Sequence, residues 1–112
     1  MSEAFAYDLT VPVAEIRKTY RYDITCQGTV PSAIGCALEA RSFEEAVRLA
    51  VSLGGDADTQ AAIAGSIAEA RFGLPRAIVR RTLGYFDDDL RAVVARFCRR
   101  YVKKGLARLF GV

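Results

Sequence analysis

Asp56, Asp58 and Thr59 are the residues of this chain best suited to chemistry. They follow two glycines in the run Ser52-Leu53-Gly54-Gly55-Asp56-Ala57-Asp58-Thr59. Glycine lets the backbone turn sharply. Two carboxylates and a hydroxyl then fall within four residues, and a small-residue helical stretch from Ala61 to Gly73 follows at once. The amide dipoles at a helix start favour negative charge there. Hard oxygen donors gathered in this way suit Mg²⁺, Mn²⁺ or Ca²⁺.

Residues two apart in a regular helix point about 200° apart. Asp56 and Asp58 therefore converge only if Asp56 lies in the Gly-Gly turn and Asp58 in the first helical turn. The bland alternative makes Asp56 an N-cap and Asp58 an acid that complements the dipole. An EF-hand loop needs further oxygen residues and a closing Glu, and Gln60-Ala61-Ala62-Ile63 offers none.

The elements that must position these residues read as helices. Thr10 is a candidate N-cap, with Pro12 near the first turn of a short helix through about Lys18. Tyr20 to Thr29 has no helical period and reads as a loop. Pro31 suits a first helical position, and that helix runs to about Ala40 with Ile34 and Leu38 on one face. Ser42-Phe43-Glu44-Glu45 forms a capping box. It opens a helix to about Leu53 with Phe43, Val47, Ala50 and Val51 inward. The next helix spans about Ala57 to Phe72 and stops at Gly73, with Pro75 beyond. Its Ala57, Ala61, Ala64 and Ala68 share one face, so another helix can approach closely. Pro75 opens a helix to about Leu83, and Asp87-Asp88-Asp89 starts a last one, about 88–109. No strand pattern competes. The expected architecture is all-α, an orthogonal helix bundle in a single domain over 1–112.

Composition narrows the function classes. The chain has no histidine, which excludes Ser-His-Asp and Cys-His catalysis within it and imidazole metal ligation. Cys26, Cys36 and Cys98 are an odd count without C-x-x-C spacing, so a disulfide framework or zinc site is not expected. Thiols in a reducing cytoplasm are the plain reading, and the start Met1-Ser2-Glu3-Ala4 is no secretory signal. No apolar run of about 20 residues spans a membrane. From Leu90 to the end there are seven basic residues, Arg91, Arg96, Arg99, Arg100, Lys103, Lys104 and Arg108, and no acid, against a net charge of +3 for the chain. Leu90, Val93, Val94, Phe97 and Tyr101 form an apolar stripe on that helix. Such a helix can meet nucleic-acid phosphates or an anionic membrane. Packing with a solvated basic face is the simpler reading.

The run from Leu53 through Asp56, Asp58 and Thr59 to Ala68 resembles the C-terminal metal motif of the ADP-ribosylglycohydrolase family. Upstream, Tyr22-Asp23-Ile24-Thr25-Cys26-Gln27-Gly28-Thr29-Val30-Pro31 is similar to that family's substrate loop. Downstream, Arg71-Phe72-Gly73-Leu74-Pro75 is similar to the end of its metal helix. The resemblance runs from about Tyr20 to about Phe86, and the turns past Phe97 read as particular to this chain. It implies that Asp56, Asp58 and Thr59 ligate Mg²⁺ or Mn²⁺, as half of the family's binuclear site. It also implies that Thr25, Cys26, Gln27, Gly28, Gly54 and Gly55 line a pocket for an ADP-ribose-type ligand, and that a glycosidic bond is hydrolysed with metal assistance. The family's Gly-Asp segment and Thr-Asp-Asp-Thr run do not occur here, so the chain reads as the C-terminal portion of such a protein. A complementing N-terminal half or a homo-oligomer is then expected, with little activity alone. A non-catalytic ADP-ribose-binding or assembly module is the alternative.

Overall fold

A computed structural model describes residues 5–102. Among them are six helices and no strand. These are α1 (Val13–Thr19), α2 (Cys26–Glu39), α3 (Phe43–Ser52), α4 (Ala57–Phe72), α5 (Arg76–Leu83) and α6 (Asp88–Tyr101). The all-α expectation holds. The chain divides between Gly73 and Leu74 into two compact units.

The first unit holds α1 to α4. Its interior is built largely of alanine. Val13, Cys36, Ala37, Ala50, Leu53 and Ala64 form one buried cluster, with Ile16, Tyr20, Leu49, Ala61 and Ile67 packed against it. Ala40, Ala46 and Ala68 form a second. Small side chains let α2, α3 and α4 approach closely, and the shape of the small-residue face decides the packing. Polar ties fix the ends. Val13 donates its backbone N–H to Glu39 Oε2 at 2.8 Å. Arg71, at the end of α4, donates to the Ala37 and Leu38 carbonyls, which helix geometry leaves short of partners.

Several local readings change. Helix α1 starts at Val13 behind Pro12, because Thr10 instead turns back on Asp8, whose Oδ1 accepts from both the Thr10 N–H and its hydroxyl. Helix α2 starts five residues before Pro31, so the proline lies inside it. The cause is Asp23-Ile24-Thr25. Asp23 Oδ1 accepts from the Thr25 N–H and hydroxyl at 2.7 and 2.6 Å, and Thr25 Oγ1 accepts from Gly28 N at 3.1 Å as the N-cap. Hence Cys26, Gln27 and Gly28 occupy a first helical turn and not a loop. On α2 the buried face runs through Ala33, Ile34, Cys36, Ala37 and Ala40, and Leu38 is exposed. On α3 Ala46 and Ala50 face inward while Val51 is exposed. The capping box is partial: Ser42 Oγ accepts from Glu45 N, but the Glu45 carboxylate accepts from Arg41 N, one residue before the cap.

Helix α4 spans the expected residues, ending at Gly73 with φ +74°. The second unit holds α5 and α6. Asp87 caps α6 by accepting from Leu90 N at 2.8 Å, as the triple-aspartate reading required. Leu90, Val93, Phe97 and Tyr101 are exposed on it. Val102 is extended, and the rest of the expected terminal helix, with Lys103, Lys104 and Arg108, lies outside the described residues. Among these, no helix is long and apolar enough to cross a membrane.

Candidate functional site

The Gly54-Gly55 turn is made possible by two positive φ angles, +78° and +63°. A side chain is strained at both, and at Gly55 there is also no room. A Cβ there would stand 2.9 Å from Tyr20 Cε1 and 3.2 Å from Tyr22 Cα. The turn therefore rests directly on the segment that leads into α2. At Gly28 an added Cβ would overlap the Asp23 carboxylate, so that segment is itself folded tightly on the start of α2.

Asp56 ends the turn and Asp58 sits in the first turn of α4. Asp56 occupies the N-cap position but makes no side-chain capping bond, so its carboxylate is not spent on the helix start. It lies beside the Asp58 carboxyl, and this neighbour is the largest of the causes that hold Asp58 below its ordinary value of 3.8. The Asp58 carboxylate also accepts from Thr59 N at 2.9 Å. Helix-end amides and hydrogen bonds favour the charged form of a carboxylate. Asp58 and Thr59 are exposed and Asp56 is half-buried. The structure thus brings the two carboxylates together at an open helix start.

The donor set has the chemistry of a hard-cation site, and it is short in number. Among the described residues no group of three or more His, Cys, Asp or Glu side chains could hold a metal ion. Magnesium uses few protein carboxylates and keeps several waters, so Asp56 and Asp58, with Thr59 next to them, fit one side of such a site.

Thr25, Cys26, Gln27 and Gly28 are arranged differently. Thr25 serves as the N-cap of α2. Cys26 is exposed. Gln27 and Tyr20 border an open groove of about 670 Å³ that Phe5, Tyr7, Ile16 and Pro31 also line. The ties between this segment and the acidic turn run through Tyr20 and Tyr22 against Gly55.

Three residues outside the predicted site set contribute here. Tyr20 has an enclosed hydroxyl. Its burial, the largest cause, pushes its pKa above 10.0, and the charges of Asp23 and Asp56 push the same way. Thr29 is buried, and its hydroxyl donates to the Asp23 carbonyl at 2.9 Å. Gln60 is fully buried and donates from Nε2 to the Gly54 carbonyl at 3.3 Å. The Asp23-x-Thr25 spacing is a legible turn signal. Nothing in the sequence marks Gln60 or Tyr20, because their roles arise only when turn and segment meet.

The family model for ADP-ribosylglycohydrolase matches residues 2–107. That span reaches beyond the motif-bearing stretch at both ends and takes in α6, so the turns past Phe97 belong to the match as well. Neither the comparison with curated proteins nor that with solved structures finds a match.

Proposed function

The chain belongs to the ADP-ribosylglycohydrolase family, and on that premise we propose that it takes part in metal-assisted hydrolysis of an ADP-ribosyl glycosidic bond. The paired carboxylates of Asp56 and Asp58 at the start of α4 are the observation that carries this reading. With Thr59, they would hold Mg²⁺ or Mn²⁺ on one side. A bound ion of this kind supplies a template, a Lewis acid and an activated water.

The chain's own residues prepare that side. Gly54 and Gly55 place Asp56 outside the helix, which frees its carboxylate to stand beside Asp58. The amide dipoles at the start of α4 favour negative charge there, and Asp58 is held below its ordinary value chiefly by the Asp56 side chain beside it. Thr25, Cys26, Gln27 and Gly28, at the start of α2, are the proposed ADP-ribose contacts. Two carboxylates leave a hard ion mostly hydrated, so the remaining oxygen ligands come from another segment or chain, and the described residues alone turn over little substrate.

The experiment is an assay with an ADP-ribosylated substrate in Mg²⁺, using the chain alone and with a second chain that carries a Thr-Asp-Asp-Thr run. The expected outcome is little release of ADP-ribose alone and clear release on mixing. If ADP-ribose binds but no mixture releases it, the chain is a binding or assembly module, a role that the short oxygen set also favours.

A further inference from the structure

We propose that the exposed face of α6 docks the chain on an anionic phospholipid surface, with its apolar stripe at the acyl boundary and its arginines at the lipid phosphates. This inference goes beyond the hydrolase reading and does not depend on the metal site.

Charge is divided unevenly along the chain. From Leu74 to Val112 there are ten basic residues against three acidic ones, whereas residues 1–73 hold six basic and ten acidic. A unit so biased favours anionic partners. The arginines of α5 and α6, from Arg76 to Arg100, are exposed. Among the described residues none of them forms an ion pair; the pairs present there, Glu15–Lys18 and Glu44–Arg48, belong to the first unit.

The helix face narrows the partner further. Leu90, Val93, Phe97 and Tyr101 recur at helical spacing, and their exposure runs from 50% at Leu90 to 68% at Tyr101. Cys98, on the neighbouring side of the helix, is buried, so the stripe is what remains open after α6 has packed. The Phe97 and Tyr101 ring centroids lie 5.2 Å apart, and the Arg100 guanidinium stands 5.6 Å from the Tyr101 centroid. Arg96 and Arg100 follow Val93 and Phe97 by three positions and so edge the stripe. Apolar bodies with tyrosine and arginine at their border suit a surface that is apolar within and anionic at its rim.

Other occupants meet only half of this. A nucleic-acid duplex would engage the arginines through its phosphates and leave the Leu-Val-Phe stripe in water. A second copy paired through the same face would cover the stripe but set arginine against arginine. An anionic bilayer supplies an apolar layer and a plane of phosphates together.

The test is co-sedimentation of the full chain with phosphatidylcholine vesicles, alone or mixed three parts to one with phosphatidylserine. Two paired variants accompany it, Val93→Ser with Phe97→Ser and Arg96→Gln with Arg100→Gln. All four side chains are exposed, and an unchanged helical spectrum verifies that each variant folds. The chain is expected to pellet with the phosphatidylserine vesicles and far less with the neutral ones, and each paired variant should weaken that binding by about tenfold. Added salt should weaken it too. No binding to the anionic vesicles would overturn the proposal. Undiminished binding of the Val93→Ser, Phe97→Ser variant would overturn the role of the stripe. Preference for a DNA duplex over the vesicles would assign the face to nucleic acid instead. A dimer by light scattering that this variant splits, without vesicle binding, would assign it to a second copy.

Discussion

Asp56 and Asp58 stand two positions apart and still meet, because only Asp58 is helical. That much follows from residue spacing and two glycines. What spacing could not show is that the Tyr20 ring packs against Gly55 and that Gln60 Nε2 donates to the Gly54 carbonyl, since Tyr20 and Gln60 lie 40 positions apart in sequence. Charge at this scale makes a pH prediction. Asp8, Asp23 and Asp58 are all held below 3.8, the first two chiefly by the hydroxyls of Thr10 and Thr25, the third chiefly by Asp56. A carboxyl with a lowered folded-state pKa stabilises the fold above its unfolded value, and that contribution is lost as pH falls through the folded value. Unfolding midpoints should therefore be level near neutrality and decline below about pH 4. In Asp23→Asn the decline should be shallower; an unchanged slope would contradict the assignment. Thiols make a second prediction. Cys36 is buried, and burial raises its pKa from 9.0 to about 11, while Cys26 is exposed. A maleimide should label Cys26 quickly and Cys36 only on unfolding. Rapid labelling of Cys36 in the folded chain would contradict this.

Helix α4 is the element that most of the first unit depends on. Its bounds were readable because Gly54-Gly55 and Gly73 mark both ends and the alanine period between them is regular. The start of α2 was not, because an Asx-type turn at Asp23 competes with the proline signal at Pro31 and wins. The two glycines near α4 separate a backbone requirement from a packing one. At Gly65 an added Cβ meets Val47 Cγ2 at 3.6 Å and Phe43 Cζ at 3.8 Å, ordinary contacts. Gly65→Ala should gain about 0.5–1 kcal/mol from helix propensity. Gly55→Ala combines a strained φ of +63° with the contact against Tyr20, and should lose about 1–3 kcal/mol. Denaturant unfolding decides both, and equal effects of the two substitutions would show that the turn is not constrained as described.

At the scale of the molecule, both buried clusters of the first unit draw on residues between Val13 and Ala68. A chain ending at Gly73 should keep a helical spectrum and unfold cooperatively by circular dichroism. A broad, non-cooperative melt would mean that the second unit is needed for the core. Helix periods and end signals foresaw an all-helical protein. They could not foresee the division after Gly73, since no linker-like stretch stands there and Gly73 and Pro75 read equally well as a helix end inside one unit. The apolar stripe of α6 was legible in sequence, but its exposure was not, because periodicity shows that a face exists and not what covers it.

The central claim is that Asp56 and Asp58 form one side of a hard-metal site. Calorimetric titration of the chain with Mn²⁺ and Mg²⁺, beside Asp58→Ala and Asp56→Ala, tests it most directly. Weak, saturable binding in the unaltered chain that disappears in both variants is the predicted result. No heat up to millimolar metal, or equal binding in the variants, would contradict it and leave the two acids as a helix start alone.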